Sequence, residues 1–424
     1  MGTPSARKLL TAVLPALLAF GGGASASMDS RTIQLQSSSI DLNCIEWEGG
    51  EMGGYRNAIP CGADSRIKTG NPAELSEVAD LYYYGDKVEQ SYSEAASLYR
   101  KAAVQGFAYA QFSLGYMYSK GEGVPKDAWL ANKWLHKAAD NGLAAAQYTI
   151  GDMHYYGDGV EQSFKQAVAW YRKAADQDYS FAQYSMGYMY KKGTGVEQNY
   201  GKAMQWLKKA AAQSHPDAQV SIAYMYLNGE GVDVDVERAY VWFFRAAVQG
   251  HASAQNNIGY MYRSGIAVEK NYERAIMWYT NAARQGFAEA QSGLAFMYHK
   301  GQGVPVNIPK AIEWYEAASA QGEVTAQFNL GLIYLTGEGV VRDLNKAVQW
   351  LQVAAGQGDA DAQYYLGTLY RNGWGVAQDF GKALRWFRLA DQLGNADAKN
   401  QIDAIEADLS ASVHPVTNST VAQR

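Results

Sequence analysis

A 36-residue unit written out eight times without a gap constrains this chain more than any other feature. In its clearest copy, Ala110-Gln111-Phe112-Ser113-Leu114-Gly115-Tyr116-Met117-Tyr118 precedes Gly121-Glu122-Gly123-Val124, then Trp134 and Ala138-Ala139. Gln111 recurs at Gln147, Gln183, Gln219, Gln255, Gln291, Gln327 and Gln363. Trp134 recurs at Trp170, Trp206, Trp242, Trp278, Trp314, Trp350 and Trp386. A fixed period of this length means stacked supersecondary units that cover one another rather than a closed core. The 424 residues therefore report repeat number, and the expected architecture is one long all-α solenoid.

Within a unit the apolar spacing gives two helices. Ala108, Ala110, Gln111, Leu114, Gly115 and Tyr118 fall at offsets of three and four and make one stripe. Ala131, Trp134, Leu135, Ala138 and Ala139 make a second. The loop pair Gly121 and Gly123 supplies positive-φ positions that end one helix and start the next, as Gly106 does between units. Asp178 and Ser214 break the junction column and Ala267 breaks the loop column, so altered local geometry is expected there. The tryptophan of each unit is expected to be its large buried plug.

The ends differ from the array. Arg7-Lys8, an apolar run from Leu9 to Phe20 and Ala24-Ser25-Ala26 read as a secretory leader over residues 1–26. That run is shorter than the ~20 residues a bilayer span needs, so no membrane span is expected after leader removal. Residues 27–71 read as an irregular extension tied by a disulfide between Cys44 and Cys61, within which Ile45-Glu46-Trp47-Glu48 is a candidate strand. Residues 72–107 form a degenerate first repeat and 108–394 the eight regular ones. Residues 395–409 make a polar capping helix, and 410–424 a disordered tail with an Asn418-Ser419-Thr420 sequon.

Formal charge is −5, and removal of Arg7 and Lys8 with the leader takes away two positive charges and leaves −7. That balance argues against a nucleic-acid or anionic-membrane partner. The six histidines are scattered without metal-ligand spacing, and no Walker loop or nucleophile elbow is present. Neither a catalytic residue nor a metal or cofactor site is expected.

Ala-Gln-x-x-Leu-Gly-x-Met-Tyr, Gly-x-Gly-Val, and Lys-Ala-x-x-Trp with Ala-Ala together resemble the Sel-one-like repeat, a relative of the tetratricopeptide repeat. The resemblance runs from Ala73 to Leu409. It implies a right-handed α/α superhelix that acts as an adaptor in protein complexes. Exported members serve bacterial envelopes as regulators, assembly factors or host-contact proteins, which implies a periplasmic or secreted location. Some cysteine-rich relatives resemble β-lactam-binding or β-lactam-hydrolysing proteins, but they carry a disulfide in every repeat and this array carries none.

Two positions on each first helix, one and five residues after the glutamine, lie beside the buried stripe. They supply Phe112, Tyr116, Tyr148, Tyr184, Tyr188, Tyr224, Tyr260 and Phe296, an aromatic ladder on the expected concave face, broken at Asp152, Asn256, Ser292 and Thr368. The alternative is that these rings pack on adjoining repeats. A protein partner in the envelope or on a host cell is the leading expectation for the ladder. A glycan or peptidoglycan is the second, and a β-lactam-binding enzyme the third.

Overall fold

The computed structural model describes residues 45–46, 59–60 and 63–413. The leader, Cys44 and Cys61 with their expected disulfide, and the sequon lie outside the described residues. Ile45–Glu46 and Ile59–Pro60 pair antiparallel, with Ile45 opposite Pro60, and a helix covers Ala63–Thr69. The stretch expected to be irregular thus holds short regular elements. From Pro72 onward the chain is helical hairpins, as the period predicts, and the final helix runs Ala398–Val413, past the expected end at 409. The described residues belong to two compact units, one ending at Val234 and the other beginning at Asp235.

Local chemistry sets the helix ends in both units. Second helices start on Ser, Asn or Asp caps. Asp127 accepts from the Leu130 N–H at 2.9 Å, and Asn271 does the same for Arg274 at 2.9 Å. Each such cap contributes about 1 kcal/mol. First helices stop at a left-handed glycine such as Gly121, φ 80°. The next loop glycine is required by proximity as well. A Cβ on Gly123 would lie 2.1 Å from the Tyr92 carbonyl oxygen, at the start of the preceding second helix.

At the columns expected to distort, the backbone stays left-handed: Asp178, Ser214 and Ala267 take φ of 61°, 65° and 60°, as does Lys87 at 65°, a conformation that costs an L-residue. Junction glycines sit further out, at 89° for Gly106 and 85° for Gly286.

The plug is not the tryptophan. Trp206 and Trp278 are 8% exposed, whereas Trp134, Trp170, Trp242, Trp314, Trp350 and Trp386 are only half-buried. The following residue is the one fully enclosed: Leu207, Phe243, Tyr315, Leu351 and Phe387 are all at 0%. Its seat is a small first-helix residue, alanine at Ala223 and Ala295 and glycine in the other regular repeats. A Cβ on Gly151 would meet the Tyr171 ring at 2.5 Å, and one on Gly331 the Leu351 Cγ at 2.7 Å. At Trp134, Trp170, Trp206 and Trp242 the indole has a cation one turn on over its ring, with Lys173 Nζ 3.6 Å from the Trp170 ring centre.

The invariant glutamine links repeats through its amide. Gln147 Nε2 donates to the Ala139 carbonyl at 3.0 Å, and its Oε1 accepts from Gln177 Nε2 at 2.8 Å. The same pair of bonds recurs at Gln111, Gln183, Gln255 and Gln291. A buried amide is stable here because both its donor and its acceptor are satisfied.

Candidate functional site

The aromatic ladder divides by register. One residue after the glutamine, rings turn into the packing. Phe112 is buried in one apolar cluster with Leu135, Ala138 and Ala146. Tyr148 sits 5.7 Å from Tyr171 and 5.6 Å from Tyr179, and Tyr184 stacks on His215 at 5.0 Å. Five residues after the glutamine, Tyr116, Tyr188, Tyr224, Tyr260 and Phe296 stay half-buried. Lys120 Nζ lies 5.6 Å from the Tyr116 ring centre, and the Arg263 guanidinium serves both Tyr260 at 5.5 Å and Phe296 at 5.0 Å. The outward candidates therefore reduce to these five.

Asp152, a gap in the ladder by sequence, belongs to a second pattern. It shares its register with Asp80, and each carboxylate meets a tyrosine in the plug position of the same repeat. Tyr171 Oη donates to Asp152 Oδ1 at 2.7 Å. Asp80 accepts from Tyr99, and from Tyr109 at 2.9 Å. Burial pushes the Asp152 carboxyl up to about 6, while the Tyr171 and Tyr148 hydroxyls pull it partly back. Burial raises Asp80 in the same way. Where the plug is Leu135 or Leu207 no hydroxyl is offered, and the register holds Tyr116 or Tyr188 instead.

A further lateral link joins three first-helix ends to the loop one repeat on. Tyr83 Oη donates to Glu122 at 2.7 Å, Lys191 pairs with Glu230 at 2.8 Å, and His299 meets Glu338 at 3.1 Å. Two exposed aromatic corners stand 72 residues apart. Tyr83 contacts Tyr84 and Tyr92 at 4.9 and 5.2 Å, and Tyr155 contacts Tyr156 and Phe164 at 4.8 and 5.3 Å. Among the described residues no group of three or more His, Cys, Asp or Glu side chains could hold a metal. None of the described helices is long and apolar enough to cross a membrane.

The Sel1 repeat family model matches residues 75–107, 108–143, 144–179, 180–215, 216–251, 252–287, 288–323, 324–359 and 360–395. Among solved structures, a protective antigen of uropathogenic Escherichia coli displaying an SLR fold is 34% identical, with 82% of each chain covered and a TM-score of 0.54. A Sel1 repeat protein from Oxalobacter formigenes is 31% identical over 73% of this chain and 89% of its own, with a TM-score of 0.55. The ERAD-associated E3 ubiquitin-protein ligase component HRD3B of Arabidopsis thaliana is 42% identical over 65 residues. That match spans 15% of this chain and 11% of the plant protein.

Proposed function

This chain belongs to the Sel1 repeat family, and from that premise we propose that it is an exported, non-enzymatic scaffold of a bacterial envelope that holds a protein partner along its first helices. The observation that carries this reading is the unbroken run of repeats over residues 75–395, with half-buried rings at one register of successive first helices. Tyrosine offers contact area with a polar tip at low entropic cost, the kind of side chain that dominates protein interfaces. The Arg7-Lys8 leader supports export, and likeness to a protective antigen supports an envelope setting. Photocrosslinkers at Tyr188 and Tyr260 in the intact envelope should trap one defined protein. Trapping nothing at either position, with the protein abundant and folded, would remove the proposal.

A glycan is the second reading, favoured by the corners at Tyr84 and Tyr156, which are 52% and 71% exposed. Co-sedimentation with purified peptidoglycan that survives Tyr84→Ala/Tyr156→Ala would exclude those corners as the binding site.

A further inference from the structure

Charge in the first compact unit is sorted by surface. Its four second helices, Tyr92–Val104, Ala128–Asp140, Phe164–Ala175 and Tyr200–Ala212, carry ten lysines and arginines against two acids. The connecting loops hold acids such as Asp86, Glu122, Asp158 and Glu230. Within the basic set one column is in strict register: Lys101, Lys137, Lys173 and Lys209, all exposed and each 36 residues from the next. Among the described residues none of the four forms an ion pair. The nearby acids are Asp140 and Asp176, both exposed, one turn on.

Three of these lysines are held in place. Lys137, Lys173 and Lys209 lie 4.3, 3.6 and 4.4 Å from the ring centres of Trp134, Trp170 and Trp206, three residues earlier on the same helix. A cation ordered in this way loses less rotamer entropy when it meets an anion than a free lysine does.

Cations in the last turn of a helix also favour its dipole, and that alone would account for one lysine. It does not account for the column. The second helices Ile308–Ser319, Leu344–Gly356 and Phe380–Gln392 have no basic residue in the last turn, yet form hairpins of the same length. At the lysine register they carry Ala317, Val353 and Leu389. The fold does not ask for the lysines.

We propose that the Lys101–Lys137–Lys173–Lys209 column is a docking line for an extended acidic polypeptide segment. This rests on reading the chain as a scaffold for a protein partner, and it specifies that partner's charge and a second face for it. A line of single cations suits a chain with carboxylates at intervals. The lysines already cover the indole faces that a nucleobase or sugar ring would need for stacking.

The test uses the full chain with poly-L-glutamate as probe, measured by anisotropy at about 50 and about 300 mM salt. Wild type is expected to bind, with affinity falling severalfold as salt rises. Lys101→Gln/Lys137→Gln/Lys173→Gln/Lys209→Gln should lose at least tenfold. The control Lys120→Gln/Lys126→Gln/Lys192→Gln/Lys270→Gln has the same net charge, and it should lose less than threefold. Far-UV circular dichroism and a thermal melt establish that both variants are folded, and Lys137→Arg/Lys173→Arg should retain binding. Equal losses in the column and control variants, or no wild-type binding, would overturn the proposal. So would column-dependent binding of polygalacturonate, single-stranded DNA or phosphatidylglycerol vesicles that is tenfold tighter than poly-L-glutamate. Photocrosslinking at the first-helix tyrosines is unaffected by any of these outcomes, so the two readings fail separately.

Discussion

The two compact units share one backbone recipe and differ in what they place on it. In the unit ending at Val234, the register five residues after the glutamine holds Asp80, Tyr116, Asp152, Tyr188 and Tyr224. In the unit from Asp235 it holds Tyr260, Phe296, Leu332 and Thr368. Buried carboxylates in the second unit serve a different purpose. Asp359 and Glu323, both raised by burial, cap first helices, Asp359 by accepting the Ala362 N–H at 2.7 Å. In the first unit Asp80 and Asp152 bond the plug tyrosine of their own helix pair, and Asp80 also Tyr109 of the next first helix. Similar hairpins with different interiors share their side-chain caps, their left-handed turns and, in the regular repeats, the glutamine. The plug and the residue it faces need only be compatible with each other.

The shared part of the recipe is where the largest effects lie. Gly187 seats Leu207 and Gly331 seats Leu351, with Cβ clearances of 2.6 and 2.7 Å. Gly187→Val in the first unit and Gly331→Val in the second should each destabilise by about 3 kcal/mol through overpacking. Urea titration measures both. A large cost in one unit and none in the other would show that the two hairpins are not equivalent.

The differing part should appear in pH dependence. The folded value of Asp152, about 6, lies above its ordinary 3.8, so the folded first unit binds a proton that the unfolded chain does not. Stability from this group is fully present below 3.8 and is lost as pH rises through about 6. The difference amounts to about 3 kcal/mol at most. Hydrogen exchange over residues 144–190 should therefore slow, after correction for intrinsic rates, as pH falls from about 7.5 to about 5. Asp152→Asn should remove most of that dependence. The groups facing Asp152 are Tyr148, Tyr171, Tyr179 and Tyr156, all tyrosines neutral in this range. Unchanged pH dependence in the variant would place its origin elsewhere.

The glutamine ladder gives a smaller, signed test at the end of the second unit. Where earlier repeats have Gln285, Gln321 or Gln357 donating to the preceding glutamine, position 393 is leucine, and Gln363 Oε1 is buried without a partner. Leu393→Gln should restore the bond and stabilise the last repeat by about 1 kcal/mol, read from its thermal melt.

Much of this was legible in the sequence, and the exceptions have physical causes. Period, helix pairs, caps and loop glycines follow from local rules, so Gln111 and Gly121 fall where the pattern puts them. The tryptophan misled because size suggested burial. Which of Trp170 and Tyr171 faces the neighbouring helix depends on the seat at Gly151, a contact between separate elements. The same holds for the ladder: Tyr116 and Phe112 are four apart on one helix face, and only packing between repeats encloses Phe112. Asp152 was read as a gap because its partner Tyr171 lies 19 residues away on another helix. The column of Lys101, Lys137, Lys173 and Lys209 was visible in the period, but its meaning depends on knowing that the second helices from Ile308 onward fold without a cation there.

The smallest effect is a mirrored pair at the junction column, where the first unit has Asp178 and Ser214 and the second has glycine throughout, from Gly250 to Gly394. Ser214 is held at φ 65°, in the left-handed region that costs an L-residue roughly 1–2 kcal/mol. A Cβ added to Gly286 would meet nothing within 4 Å, so space does not decide the matter at this column. Ser214→Gly should therefore stabilise the first unit by about 1 kcal/mol after the glycine's greater unfolded-state entropy is subtracted. Gly286→Ser should destabilise the second by the same amount. Asp178→Gly should gain less, because Asp178 accepts from Gln183 Nε2 at 3.1 Å and that bond is lost with the side chain. Equal and opposite shifts for the serine pair would assign the cost to backbone conformation alone. A neutral Gly286→Ser would mean that the second unit's junctions relax to accommodate a side chain and that glycine there is not required by φ.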